Sequence, residues 1–176
     1  MAKSPKRKDY LKDYTRGSDG RYSYGGKNYK FDGTEQERLE AYKKMIALAV
    51  LLIASVILSG CIDAAGATGA FYVILPLVGE ICALFALVWY MSKLIMEGRE
   101  IRGYIFETAN NRIPPAAQII IIFALTGLGM SVIYLIFNGF EGKLLKSILY
   151  LFSKGLNAVL AFYFKKYYNT LRWRIM

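Results

Sequence analysis

The chain has 176 residues, 55% of them apolar, with 23 Lys and Arg against 13 Asp and Glu and a formal net charge of +10. A mean hydropathy of +0.30 is too high for an ordinary soluble domain of this length and points to a membrane protein. Histidine is absent and only Cys61 and Cys82 supply sulfur nucleophiles, which excludes a Ser/His/Asp triad, haem ligation by His and a Cys/His zinc cluster.

Residues 1–33 are rich in Lys, Arg, Gly and Tyr and nearly devoid of aliphatic side chains, so they are read as a basic cytoplasmic arm without a core of its own. Within the arm, two Tyr-rich stretches flank Gly25-Gly26 in the form of a β-hairpin, with Tyr22 expected opposite Tyr29 and Tyr24 opposite Lys27. An isolated hairpin is marginal in water, so this one needs the membrane surface or a cytosolic partner, and the alternative is a disordered tail held near anionic lipid.

Residues 34–176 are read as an all-α bundle of four transmembrane helices, spanning roughly 45–62, 69–92, 113–137 and 144–164. The first is led by TEQERLEAYKK, where Thr34 and Glu37 have the spacing of a capping box, so one helix is expected to run from the cytosol into the bilayer. The inner connection SKLIMEGREIRGYIFETANNR places Leu94, Ile101, Tyr104 and Ile105 at nearly helical spacing and predicts a short interfacial helix. Pro114 and Pro115 suit the first turn of the third span. After the fourth span, KKYYNTLRWRIM mixes Lys165 and Lys166 with Tyr167, Tyr168 and Trp173; with Trp89 and Tyr90 of the second span these read as membrane-interface anchors rather than a nucleic-acid groove.

Of the 23 basic residues, 12 precede the first span, 4 lie between the second and third and 4 follow the fourth, whereas the two other connections and the start of the last span hold only Lys143 and Lys146. The positive-inside rule therefore puts both termini in the cytoplasm of a multi-pass cell-membrane protein. Its outer loops, DAAGATG and NGFEGK, are too short for a domain.

Two charges fall inside the spans. Counted back from the basic residue at the cytoplasmic edge, Glu80 precedes Lys93 by 13 residues and Lys154 precedes Lys165 by 11, so their depths differ by only ~3 Å. An unpaired charge at mid-bilayer costs at least ~2.5–3.5 kcal/mol, which favours an ion pair. Ser147, Lys154, Asn157, Ala158 and Ala161 share one face of the fourth helix, and Pro76, Glu80 and Ala83 one face of the second. Three roles stay open: a packing lock completed by Asn157, an ion pathway in which Glu80 is protonated and deprotonated, or charges seeking partners on another subunit. In an up-down bundle the second and fourth helices are diagonal, which leaves the pair a long way to reach.

The stretch KKMIALAVLLIASVILSGC ends in Leu58-Ser59-Gly60-Cys61 and resembles the lipobox of a bacterial lipoprotein signal, which implies acylation of Cys61. The resemblance covers 19 residues, and such signals stand at the start of a chain whereas 42 residues precede this one, so small residues closing a span are the simpler reading. No phosphate-binding loop, acidic metal cluster or convergent catalytic constellation is present, and neither cofactor nor metal is expected. The sequence thus reads as a non-enzymatic subunit or accessory protein of a larger membrane complex, bacterial by its Gly- and Ile-rich character, partnered by lipid and by other membrane subunits or copies of itself, with no nucleic acid. The alternative is a small oligomeric proton-coupled transporter or channel with Glu80 as its ionisable site.

Overall fold

The structure is a computed structural model that describes residues 14–16, 22–67 and 69–176, with side chains from residue 25 onward. The rest of the basic arm lies outside the described residues. Three short strands, β1 (Tyr14–Arg16), β2 (Tyr22–Tyr24) and β3 (Asn28–Phe31), precede α1 (Glu35–Cys61). Then follow α2 (Phe71–Met96), β4 (Glu100–Arg102), α3 (Gly103–Asn138), α4 (Leu144–Thr170) and β5 (Trp173–Ile175). All four helices are long and apolar enough to cross a membrane.

Helix α1 starts where the sequence signals it. The Thr34 hydroxyl accepts from the Glu37 amide at 3.2 Å and the Glu37 carboxylate accepts from the Thr34 amide at 2.8 Å, so both halves of the capping box are made. Two connections differ from expectation. In place of an interfacial helix, α2 ends at Met96, Gly98 turns the chain at φ 82° in the left-handed region that suits glycine, and residues 100–102 form a strand. Helix α3 then begins at Gly103, so Pro114 and Pro115 lie inside it rather than in its first turn. Gly103, Phe106, Ala109 and Ile113 are buried at helical spacing, and this inward-facing stripe carries the helix past the first prolines' missing donors.

Strand β3 is central in a three-stranded antiparallel sheet of order β4-β3-β5, with Tyr29 opposite both Ile101 and Ile175, and Phe31 opposite Trp173. Both of its edges are occupied, so β2 pairs with β1 instead, Tyr24 opposite Tyr14, and the expected Tyr22–Tyr29 pairing across Gly25-Gly26 is replaced. The apolar face of the sheet is legible in its alternation: Ile101 is wholly buried between exposed Glu100 and Arg102. Tyr29 stacks on Phe106 at 4.1 Å between centroids, and Trp173 packs against Phe106 at 5.3 Å and Phe31 at 5.6 Å. The arm, the α2–α3 connection and the tail are thereby joined at one end of the bundle.

Around the bundle, α1 packs on α4, α4 on α3 and α3 on α2, α1 and α2 are the loosest of the neighbouring pairs, and α2 and α4 stand diagonal across the centre. Close approach of α2 and α3 depends on Gly79, where an added Cβ would lie 2.7 Å from the Phe123 ring. Towards the sheet the interior is apolar, with Met45, Leu52, Leu87, Leu94, Ile113 and Phe164 at 0–1% exposure. The outward surfaces of the helices carry Leu51, Ile57, Phe85, Phe152 and Phe162, all more than half exposed, as suits side chains that meet lipid.

A buried ion-pair network in the helical core

Lys154 and Glu80 have no exposed surface, and the Lys154 Nζ donates to Glu80 Oε1 at 2.6 Å. The diagonal is spanned because α3 yields space. An added Cβ at Gly127 would stand 3.3 Å from Pro76 Cβ and 3.5 Å from Lys154 Cε, so the lysine stem runs past a position without a side chain. Its ammonium also lies 5.4 Å from the centre of the Tyr150 ring, one helical turn earlier on α4.

The second carboxylate oxygen is held separately. Asn157 Nδ2 donates to Glu80 Oε2 at 2.8 Å and to Ser59 Oγ at 3.2 Å, while Asn157 Oδ1 accepts from Ser55 Oγ at 2.5 Å. On the far side, Ser59 Oγ donates to the Ser55 carbonyl at 3.0 Å and lies 2.5 Å from Ser153 Oγ. Three helices thus contribute polar groups: Ser55 and Ser59 from α1, Glu80 from α2, and Ser153, Lys154 and Asn157 from α4. Every one of these side chains is at most 5% exposed. A charge removed from water needs a counter-ion and its remaining bonding capacity filled, and this arrangement supplies both.

Sequence reasoning named Glu80, Lys154 and Asn157 as a unit and missed the serines as partners. Ser55 and Ser59 stand four apart, as residues on one helix face do, but that spacing also fits simple close packing. Ser147, assigned to the same seam, serves elsewhere: its hydroxyl accepts from the Ala65 amide at 3.2 Å and ties α4 to the α1–α2 connection.

The aromatic and basic residues read as interface anchors divide. Trp89 is 60% exposed with the Lys93 ammonium 4.9 Å over its ring, Lys166 is exposed, and Tyr90 and Tyr167 are half-buried. Lys165 donates to Gln118 Oε1 at 2.6 Å. Tyr168, in contrast, is 3% exposed and lies in the core, and Trp173 belongs to the sheet and its aromatic cluster. Tyr168 repeats the face of Ala161 and Phe164 at spacings of seven and four, which takes it inward rather than to the interface.

At the end away from the sheet, Asp63 binds Lys143 at 2.7 Å and lies 3.7 Å from Lys146, clasping the α1–α2 and α3–α4 connections. The Lys143 ammonium holds the Asp63 carboxyl below the ordinary carboxylate range. Beside this clasp a cleft of about 240 Å³, between the ends of α1 and α2, is floored by Ser59 and Tyr150 and edged by Cys61, Asp63 and Leu77. Through Ser59 it stops one residue short of the carboxylate, since Ser59 bonds Asn157 and Asn157 bonds Glu80, and its Tyr150 ring lies 5.4 Å from the Lys154 ammonium. Among the described residues no group of three or more Cys, Asp or Glu is gathered as for a metal ion. Comparison with models of protein families, with curated proteins and with solved structures finds no match.

Proposed function

We propose that the chain is a non-enzymatic multi-pass protein of the cell membrane, with both termini in the cytoplasm, acting as a subunit or accessory protein of a larger membrane complex. The Glu80–Lys154 pair serves in this reading as a lock that fixes which helices meet and in what register. The observation that carries it is the closure of the network: both charges are fully buried and both carboxylate oxygens are occupied. Buried polar pairs are best attested in such register-setting roles. The sheet adds a reason for a partner on its side, because it stiffens a basic, aromatic surface assembled from three separate segments.

The test is purification in mild detergent followed by native mass spectrometry, with wild type and Glu80→Gln side by side. A stoichiometric partner lost in the variant supports the subunit reading. A variant that keeps its partners but loses proton-dependent uptake in liposomes overturns it. That second reading, a proton-coupled transporter or channel using Glu80, is favoured by the cleft lined by Ser59, which lies two hydrogen bonds from the carboxylate.

A further inference from the structure

Beside the sheet, the start of α1 and strand β3 enclose a second cleft, of about 200 Å³. Three cationic side chains from three segments line it: Lys30 of β3, Arg38 of α1 and Arg99 of the turn before β4; Glu35 is the one carboxylate among the lining residues. From this convergence we propose that the cleft binds a phosphate-bearing anion.

An anionic group already occupies the position between the guanidiniums. Glu35 Oε2 lies 3.1 Å from Arg99 Nε, and Glu35 Oε1 pairs with Arg38 Nη2. The carboxylate side chain is 41% exposed, on the first turn of its helix, so it can swing into water. Arg38 cannot follow it. Its side chain is only 11% exposed, its Nη1 donates to the Gly98 carbonyl, and its guanidinium lies 5.6 Å from the Tyr42 ring centre. Its Nε is buried without a partner among the described residues. When Glu35 leaves, a fixed guanidinium and two further cations remain facing a vacated anion position. A phosphate, with more oxygens and more charge than a carboxylate, satisfies forked donors better and displaces Glu35 for that reason.

With Glu35 swung away the lining keeps three cations, Lys30, Arg38 and Arg99, against the Glu37 carboxylate that caps the Thr34 amide beside Gly33. Lys30 stands opposite Glu100 on one side and Arg174 on the other in the ladder, and Arg174 faces Asp32 at 4.0 Å. Arg38 precedes Met45, where the apolar run begins, by seven residues, or ~10 Å along the helix. The headgroup layer extends ~5–7 Å beyond the hydrocarbon, so the cleft stands within a few ångströms of its edge. The shared chemistry is phosphate; its source is a lipid headgroup or a soluble phosphate.

Calorimetric titration of the detergent-solubilised full chain with inorganic phosphate, and with short-chain phosphatidic acid against short-chain phosphatidylcholine, separates the two. One equivalent of inorganic phosphate marks a soluble ligand; saturation by phosphatidic acid alone marks a headgroup. In either case Arg99→Gln, at a largely exposed position, weakens binding about tenfold, as loss of one charge-assisted contact does. Glu35→Gln removes the internal competitor and tightens binding several-fold. Neither probe binding, binding unchanged by Arg99→Gln, or Glu35→Gln binding no more tightly than wild type overturns the proposal.

Discussion

The layer around Glu80 and the layer around Leu87 lie one above the other in the same bundle, yet they hold it together differently. Around Glu80 three helices share hydrogen bonds that only one register satisfies, whereas around Leu87 the contacts are aliphatic and aromatic. In water the apolar layer would dominate stability, since burial there is driven by exclusion from solvent. In a bilayer the alternative to a buried Leu is a Leu in lipid, so packing alone distinguishes the folded bundle from separated helices. The polar layer therefore carries most of the specificity and the apolar layer supplies fit.

The largest effect that separates the two layers comes from breaking the pair on one side. Lys154→Met leaves Glu80 buried with only Asn157, and Glu80→Leu leaves the ammonium with no counter-ion; each is expected to cost ~3–5 kcal/mol. Combining the two changes removes the stranded charge and restores most of the loss. Reversible unfolding in mixed micelles, followed by circular dichroism, measures both arms of this cycle. Double variants no more stable than the singles would transfer the specifying role away from the charges.

Leu87→Ala probes the apolar layer and is expected to cost about 2 kcal/mol, the low end of the range for such truncations, because lipid is as apolar as the core and the cavity term remains. No change elsewhere in the pair should alter that figure. Next in size is Thr34→Ala at the start of α1, which removes one half of the capping box and is expected to cost ~1 kcal/mol in the same unfolding assay. Because the sheet is attached through β3 only three residues before Thr34, faster hydrogen exchange in Asn28–Phe31 is expected with it.

The two layers were unequally legible in the sequence. Glu80 and Lys154 stood out because a charge within an apolar run has few explanations, and depth counted from Lys93 and Lys165 paired them without any structure. The four spans were legible for the same reason, length and hydropathy being sufficient. The sheet was not, because its three strands of three or four residues come from distant parts of the chain, and pairing between them is a tertiary event with no local periodicity. Ile101 shows the difficulty: its spacing to Leu94 and Ile105 fits a helix, while the flanking charges Glu100 and Arg102 fit a strand equally well. Gly127 was unreadable for another reason. What matters there is a side chain arriving from α4, 27 residues further along.

The smallest effect concerns the clasp of the α1–α2 and α3–α4 connections, where electrostatics acts in water rather than in lipid. Asp63 has its pKa lowered chiefly by the hydrogen bond from Lys143, so the folded state favours the carboxylate more than the unfolded chain does. A depressed folded value contributes stability above the ordinary Asp pKa of ~3.9, and that contribution disappears as pH falls through the folded value. Asp63→Asn should therefore unfold somewhat more easily than wild type at neutral pH, with the gap constant down to the ordinary carboxylate range and closing below it. Raising salt at neutral pH should narrow the same gap, because Asp63 and Lys146 are both about half exposed and the pair is screened. The buried pair, shielded from ions by the bundle, should show no such salt response, and a Lys154→Met cost that fell with salt would place that pair within reach of water.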